Sequence, residues 1–179
     1  EKGLKEVENP SAVFLSERSI DSSGSVIVSA IEGTRTFLVE IQGLVSPSYF
    51  GMPQRRCNGI DYNRFTLLAA VLEKRGGFNL ANQDIFVNVA GGIDILEPAV
   101  DLGVIVAIAS SLKDIPTDPK AVCFGEVGLS GEIRAVSLVE ERIKEAIRLG
   151  FNKCIIPDSN KKNLSIKGNN FQIIGVRNI

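Results

Sequence analysis

Gly125–Glu126–Val127–Gly128–Leu129–Ser130–Gly131–Glu132–Ile133–Arg134 is the stretch on which the reading of this chain turns. It predicts two strands, Ala121 to Glu126 and Gly131 to Ala135, around the turn Gly128–Leu129–Ser130–Gly131. Downstream, Ser137 to Leu149 has the spacing of a helix, and Gly150 stops it. Ser137-x-x-Glu140 reads as a capping box: Ser137 would bond the Glu140 N–H, and the Glu140 side chain would return to the Ser137 N–H. A short strand follows at Lys153 to Ile156. The polar stretch Asp158 to Asn170 then leads to a last strand near Gln172 to Val176.

Upstream, Pro98 to Ser111 predicts a helix that is apolar almost all round, so it belongs in the centre of the fold. Ser25 to Glu32 and Thr36 to Val45, parted by Gly33–Thr34–Arg35, read as a β-hairpin. Ser46 to Asp61 reads as a loop carrying Gln54–Arg55–Arg56. Asp61 caps a helix from Tyr62 to Arg75, with Phe65, Leu68 and Leu72 at helical spacing and Gly76–Gly77 at its end. Asp84 to Val89 is a strand, and Gly91–Gly92 a turn. Before all this, Asn9–Pro10–Ser11 can open a short helix. Helices and strands mix without strict alternation, which predicts an α+β fold with a mixed sheet packed with helices.

Composition narrows the chemistry. The 179 residues suit one domain, and 44% hydrophobic content supplies a core. The most apolar run, Leu102 to Ala109, is too short to cross a bilayer, and Glu1 to Glu6 has no apolar core of a signal peptide. A cytosolic protein without membrane partners is the expectation. Cys57, Cys123 and Cys154 are widely spaced and match no metal-ligand pattern, so they are expected as reduced thiols. There is no His, which removes Ser–His and Cys–His mechanisms and leaves Lys, Asp, Glu or Tyr for any proton transfer. Twenty Lys and Arg against 21 Asp and Glu give a net charge of −1, so nucleic-acid binding would need a local patch. No Gly-x-x-x-x-Gly-Lys-[Ser/Thr] loop occurs.

The Gly125–Arg134 stretch, the helix after it and Lys153–Cys154–Ile155–Ile156–Pro157 together resemble the Lon peptidase domain, as does Asn88–Val89–Ala90–Gly91–Gly92 leading to Pro98. Gly3–Leu4–Lys5–Glu6–Val7–Glu8–Asn9–Pro10–Ser11, Asp61–Tyr62–Asn63–Arg64 and Ala70–Val71–Leu72–Glu73–Lys74–Arg75 resemble more closely the C-terminal part of the bacterial RadA (Sms) DNA repair family. That resemblance implies a Lon peptidase-like fold, the fold of ribosomal protein S5 domain 2, over residues 25–179. Residues 1–24 would then connect it to an ATPase core. Zinc, ATP and Mg would belong to those other segments, with no cofactor in this domain.

The resemblance also implies where catalysis would sit. The peptidase motif Gly-Pro-Ser-Ala-Gly falls on Glu97–Pro98–Ala99–Val100–Asp101, so its Ser is Ala99 here. The general-base Lys falls on Glu140 within Ser137–Leu138–Val139–Glu140. A Ser–Lys pair is gone at both positions. The implied role is a non-catalytic scaffold that binds DNA and self-associates into a ring, with six subunits expected, in a motor acting on branched recombination intermediates. A recombinase is a further possible partner. An active Ser–Lys peptidase is the alternative. Ser110, Ser111 and Lys113 lie together but at a helix end, and Ser130 sits in a turn near Arg134. The candidate DNA contacts are Arg55, Arg56, Arg64, Lys74 and Arg75, with Lys161, Lys162 and Lys167 weaker. Arg64 and Arg75 are eleven residues apart, so on a helix they fall within about 20° of one face.

Overall fold

The computed structural model describes residues 11, 15, 18, 20–49, 51–162, 164–166 and 171–179. The hairpin anticipated from the sequence forms its middle. β1 (Ser25–Glu32) and β2 (Arg35–Pro47) pair antiparallel from Ser25↔Gln42 to Glu32↔Arg35. Successive side chains of a strand point to opposite faces, and here both faces are buried. Val26, Val28, Ala30, Phe37, Val39 and Ile41 join one core cluster, while Ile27 and Leu38 join a second.

Among the described residues, seven strands make the main sheet, in the order β3-β4-β2-β1-β5-β8-β9. The others are β3 (Arg55–Asn58), β4 (Gln83–Val89), β5 (Ala121–Cys123), β8 (Lys153–Pro157) and β9 (Gln172–Val176). β2 is antiparallel to both neighbours and every other pairing is parallel. A mixed, mostly parallel sheet packed with helices is therefore the architecture.

Helix α1 (Tyr62–Gly76) starts where Asp61 accepts the Arg64 N–H at 2.8 Å and ends at Gly77, whose φ is 72°. Its Phe65, Leu68 and Leu72 share the first core cluster with α2 (Asp101–Lys113). Helix α2 lies very close to the sheet. A Cβ on Gly103 would stand 2.1 Å from Val28 Cγ1, and one on Gly43 would stand 2.8 Å from the Ala107 carbonyl carbon. Helix α3 (Val139–Arg148) covers the opposite face with Val139, Ile143 and Ala146. A one-turn helix, α4 (Asp158–Lys161), leads towards β9.

Three expectations need correcting. The segment read as a loop from Ser46 to Asp61 contains β3, which runs parallel to β4 at the sheet edge. Gln54–Arg55–Arg56–Cys57–Asn58 has no apolar alternation to betray it, and charged side chains suit an unpaired edge. The strand read as Ala121 to Glu126 splits in two. Phe124 and Gly125 leave the sheet, and β6 (Glu126–Val127) pairs only with β7 (Ile133–Arg134). The break comes where the Gly125 N–H donates to the Ala99 carbonyl at 2.7 Å. The central helix opens with a 3-10 turn, Pro98–Val100, and not with α-helix. Of the short helix read after Asn9–Pro10, Ser11 and Leu15 are helical, and its remaining residues lie outside those described, as does Lys167.

Candidate functional site

Ala99 sits in the Pro98–Val100 turn, 2% exposed. Its carbonyl accepts the Gly125 N–H, and the Leu102 N–H returns to the Gly125 carbonyl at 3.1 Å. The backbone is thus clamped, and a methyl group stands at the position that the resemblance assigns to the nucleophile. Glu140 is half-buried in the first turn of α3, and its carboxylate accepts the Ser165 N–H at 2.9 Å. The capping box read at Ser137–Glu140 does not form. The residue before the helix is Leu138, in the left-handed region at φ 52°, with no side-chain cap bond. Ser137 lies one residue too early, and its carbonyl is engaged by Arg142 Nε at 2.9 Å.

Arg142 is the buried charge beside this position that sequence reading missed. It has no exposed surface. Its guanidinium bonds the Ser29 carbonyl at 2.7 Å, forms an ion pair with Glu97, and lies 5.6 Å from the Phe124 ring centre. Glu97 in turn accepts the Ile31 N–H at 2.9 Å. β5 pairs with β1 only at Ile27 and Val28. Beyond that point the edge groups of Ser29 and Ile31 would need another strand. Glu97 and Arg142 satisfy them instead. A signal was present: Val139, Arg142, Ile143 and Ala146 form the buried stripe of α3, and an Arg on an apolar stripe asks for a buried carboxylate.

A second ion pair fixes α1 to α2. Arg64 reaches Asp101 with Nε at 3.0 Å and with a terminal nitrogen, which also donates to the Val127 carbonyl at 2.8 Å. Asp101 is 1% exposed and takes the Val127 N–H at 3.0 Å. Burial raises the Asp101 pKa above the usual carboxylate value, against the pull of Arg64 and the Val127 N–H. The bond to Asp101 holds the Arg64 guanidinium above its ordinary value. Arg64 is thus committed to the fold by two partners.

The other predicted cations divide as follows. Arg55 donates to the backbone carbonyls of Gln54 at 3.0 Å, Leu80 at 2.8 Å and Gln83. Arg56 is exposed on the next position of β3, and its side chain has no hydrogen bond or ion pair among the described residues. Lys74 and Arg75 are exposed in the last turn of α1. Arg75 approaches the Leu129 carbonyl at 3.4 Å. Arg64 and Arg75 thus reach the same β6–β7 hairpin, as their spacing implies. The five do not form one patch: Arg55 and Arg56 lie on the sheet edge, and the others line a helix on which residues 64 and 75 are about 17 Å apart.

Two of the substitute nucleophiles, Ser110 and Ser111, have structural bonds, while Ser130 is bonded through its backbone N–H, to Glu132 at 3.1 Å. Ser110 Oγ accepts the Gly24 N–H at 2.9 Å and donates to the Ile115 carbonyl, and Ser111 Oγ accepts the Val45 N–H at 2.9 Å. Lys113 stands 5.4 Å from the Phe78 ring centre. Cys123 and Cys154 are buried thiols, and burial pushes Cys123 up to about 12 and Cys154 up further. Among the described residues no group of His, Cys, Asp or Glu could hold a metal ion, and no helix is long and apolar enough to cross a membrane.

Fold and site together define a mixed α+β domain in which the buried Asp101 and Arg142 are held by ion pairs, with no hydroxyl at the position that the resemblance assigns to a nucleophile. The chain belongs to the family whose model is described as subunit ChlI of Mg-chelatase, which matches residues 43–160. Along its full 179 residues it is 52% identical to DNA repair protein RadA of Bacillus subtilis (strain 168), covering 39% of that protein. It is also 51% identical over 177 residues to the RadA protein of Listeria monocytogenes and 50% identical over 177 residues to that of Streptococcus pneumoniae. It covers 99% of itself in each, and 38% and 42% of those proteins. The RadA resemblance read from the sequence thus holds along the whole chain, which spans about two fifths of the length of these curated relatives.

Proposed function

We propose that this domain is a non-catalytic DNA-binding and oligomerisation scaffold with a Lon peptidase-like fold, within a RadA-type ATP-dependent motor that acts on branched recombination intermediates. The observation that carries this reading is the identity of about half the residues, along the whole chain, with proteins named DNA repair protein RadA. The local chemistry is consistent with it. Ala99 offers no attacking oxygen, Glu140 no amine, and the edge of β1 is filled by Glu97 and Arg142 where an extended peptide would have to pair. Phosphate contacts fall to Lys74 and Arg75, which project from the end of α1, while Arg56 is a separate cation on the sheet edge. Cations there also suit the helix dipole, so a binding measurement is needed.

That measurement is fluorescence anisotropy of labelled duplex DNA with the full-length protein over a range of salt, with peptide cleavage assayed beside it. Lys74→Ala combined with Arg75→Ala should weaken binding and flatten its dependence on salt. Unchanged binding would remove these two residues as DNA contacts. Cleavage that persists in a variant lacking ATPase activity, after purification controls, would overturn the non-catalytic assignment.

A further inference from the structure

We propose that Leu129, at the tip of the β6–β7 hairpin, is a wedge that enters between adjacent bases at a branch point of DNA, with Lys74 and Arg75 on the flanking phosphates. The proposal deepens the DNA-binding reading and rests on it.

The hairpin is short, and its frame is held from three sides. Within the turn, the Gly128 N–H donates to the Glu132 carbonyl at 2.9 Å, the Gly131 N–H to the Gly128 carbonyl at 3.0 Å, and the Ser130 N–H to Glu132 Oε2 at 3.1 Å. At the root, the Val127 N–H donates to Asp101 and the Val127 carbonyl accepts from Arg64. The segment after β9 supports one flank: the Ile133 N–H donates to the Arg177 carbonyl at 2.7 Å and the Ile179 N–H to the Gly131 carbonyl at 3.0 Å. The end of α1 lies against the other. Gly131 is in the left-handed region at φ 86°, and a Cβ there would stand 3.1 Å from Arg75 Cβ.

This frame carries an apolar tip. Gly128 and Gly131 are buried, while Leu129 and Ser130 between them are exposed, Leu129 by 64%. Tight turns favour Gly, Asn, Asp and Ser, so the turn itself does not call for a leucine. A single exposed leucine is ordinary on a protein surface; this one stands on a fixed frame beside two cations. Arg75 Nε is 3.4 Å from the Leu129 carbonyl, and Lys74 precedes it in the last turn of α1. Neither cation pairs with a carboxylate among the described residues. The neighbouring carboxylates are engaged elsewhere. Glu73 accepts the Leu80 N–H at 3.3 Å, and Glu132 and Glu126 face Arg134 at 2.8 and 4.0 Å.

An apolar side chain between two bases leaves water, while cations beside it meet the phosphates; apolar wedges kink duplexes in this way. In a continuous duplex the wedge must first unstack a base step. At a branch point the stacking is already interrupted, so that cost falls. Lys74 and Arg75 alone would read only phosphate charge and treat both DNAs alike. Leu129 adds the preference for the branch.

Anisotropy titrations of the full-length protein with a labelled three-way junction and with a plain duplex test this, with 2-aminopurine at the branch to report unstacking. The wild type should bind the junction about tenfold more tightly, the effect expected from burying a leucine side chain, and should raise the 2-aminopurine fluorescence. Leu129→Ser should bring the two affinities together and abolish the rise without moving the thermal unfolding transition. Leu129→Met should keep both effects. Lys74→Ala with Arg75→Ala should weaken binding to the two DNAs alike. If the wild type does not prefer the junction, or Leu129→Ser keeps the preference and the fluorescence rise, the wedge is wrong, and the DNA contact rests on the Lys74 and Arg75 variant alone. If that variant binds both DNAs as the wild type does, the two cations are not phosphate contacts and the wedge falls with them. A Leu129→Ser protein that loses self-association in sedimentation velocity places the tip against a second copy and overturns its assignment to DNA.

Discussion

Arg142 has its whole side chain inside the fold, bonded to Ser29, Ser137 and Glu97 and lying against Phe124. Removing one member of such a pair leaves a buried charge without a partner. Arg142→Ala is therefore expected to cost about 3–5 kcal/mol in urea unfolding. Arg142→Met combined with Glu97→Gln takes away both charges and should cost distinctly less. Equal losses would mean that packing, and not charge, dominates the site. Ala99 was legible in the sequence because its identity alone removes the hydroxyl. Arg64 was not. Its position at the start of α1 says nothing about Asp101, 37 residues on, and only the packing of α1 on α2 brings the two together. Glu140 shows the limit of a local motif. The Ser137-x-x-Glu140 spacing is right for a cap, yet Arg142 holds the Ser137 carbonyl and Leu138 takes the left-handed conformation instead.

At the scale of elements, α2 and the β1–β2 hairpin decide the core. The hairpin was readable because both strands are rich in β-branched and aromatic residues and a Gly-containing turn parts them. The apolar circumference of α2 announced its burial. Its closeness to the sheet did not follow from hydropathy, because it depends on Gly43 facing Ala107 and Gly103 facing Val28. Gly43→Ala should cost about 1–3 kcal/mol in thermal or urea unfolding, because the obstacle is helix backbone that cannot rotate away. Gly103→Ala meets a side chain instead, so adding Val28→Ala should recover part of its loss. No recovery would show that the helix, and not the valine, has to move. β3 escaped the sequence reading for a related reason: its half-buried positions are Arg55 and Cys57, so the alternation in burial carries no apolar pattern.

At the scale of the whole molecule, a net charge of −1 gives no long-range attraction to a polyanion, so DNA binding depends on how many local cations act together. Each phosphate contact lowers the slope of log K against log salt by about 0.9. If Lys74 and Arg75 are the phosphate contacts, they would supply a slope of about −1.8 per chain, which is weak binding on its own. Contacts on linked copies act at high effective concentration, and their slopes add when one duplex reaches several copies. If copies of this chain assemble, diluting the full-length protein below its association range leaves Lys74 and Arg75 in place and disperses the assembly. The salt slope should then fall towards the single-chain value, and the affinity at moderate salt should fall with it. A slope that is the same in the assembled and dispersed proteins would mean that one chain makes all the DNA contacts, and the ring would then have no part in holding the duplex.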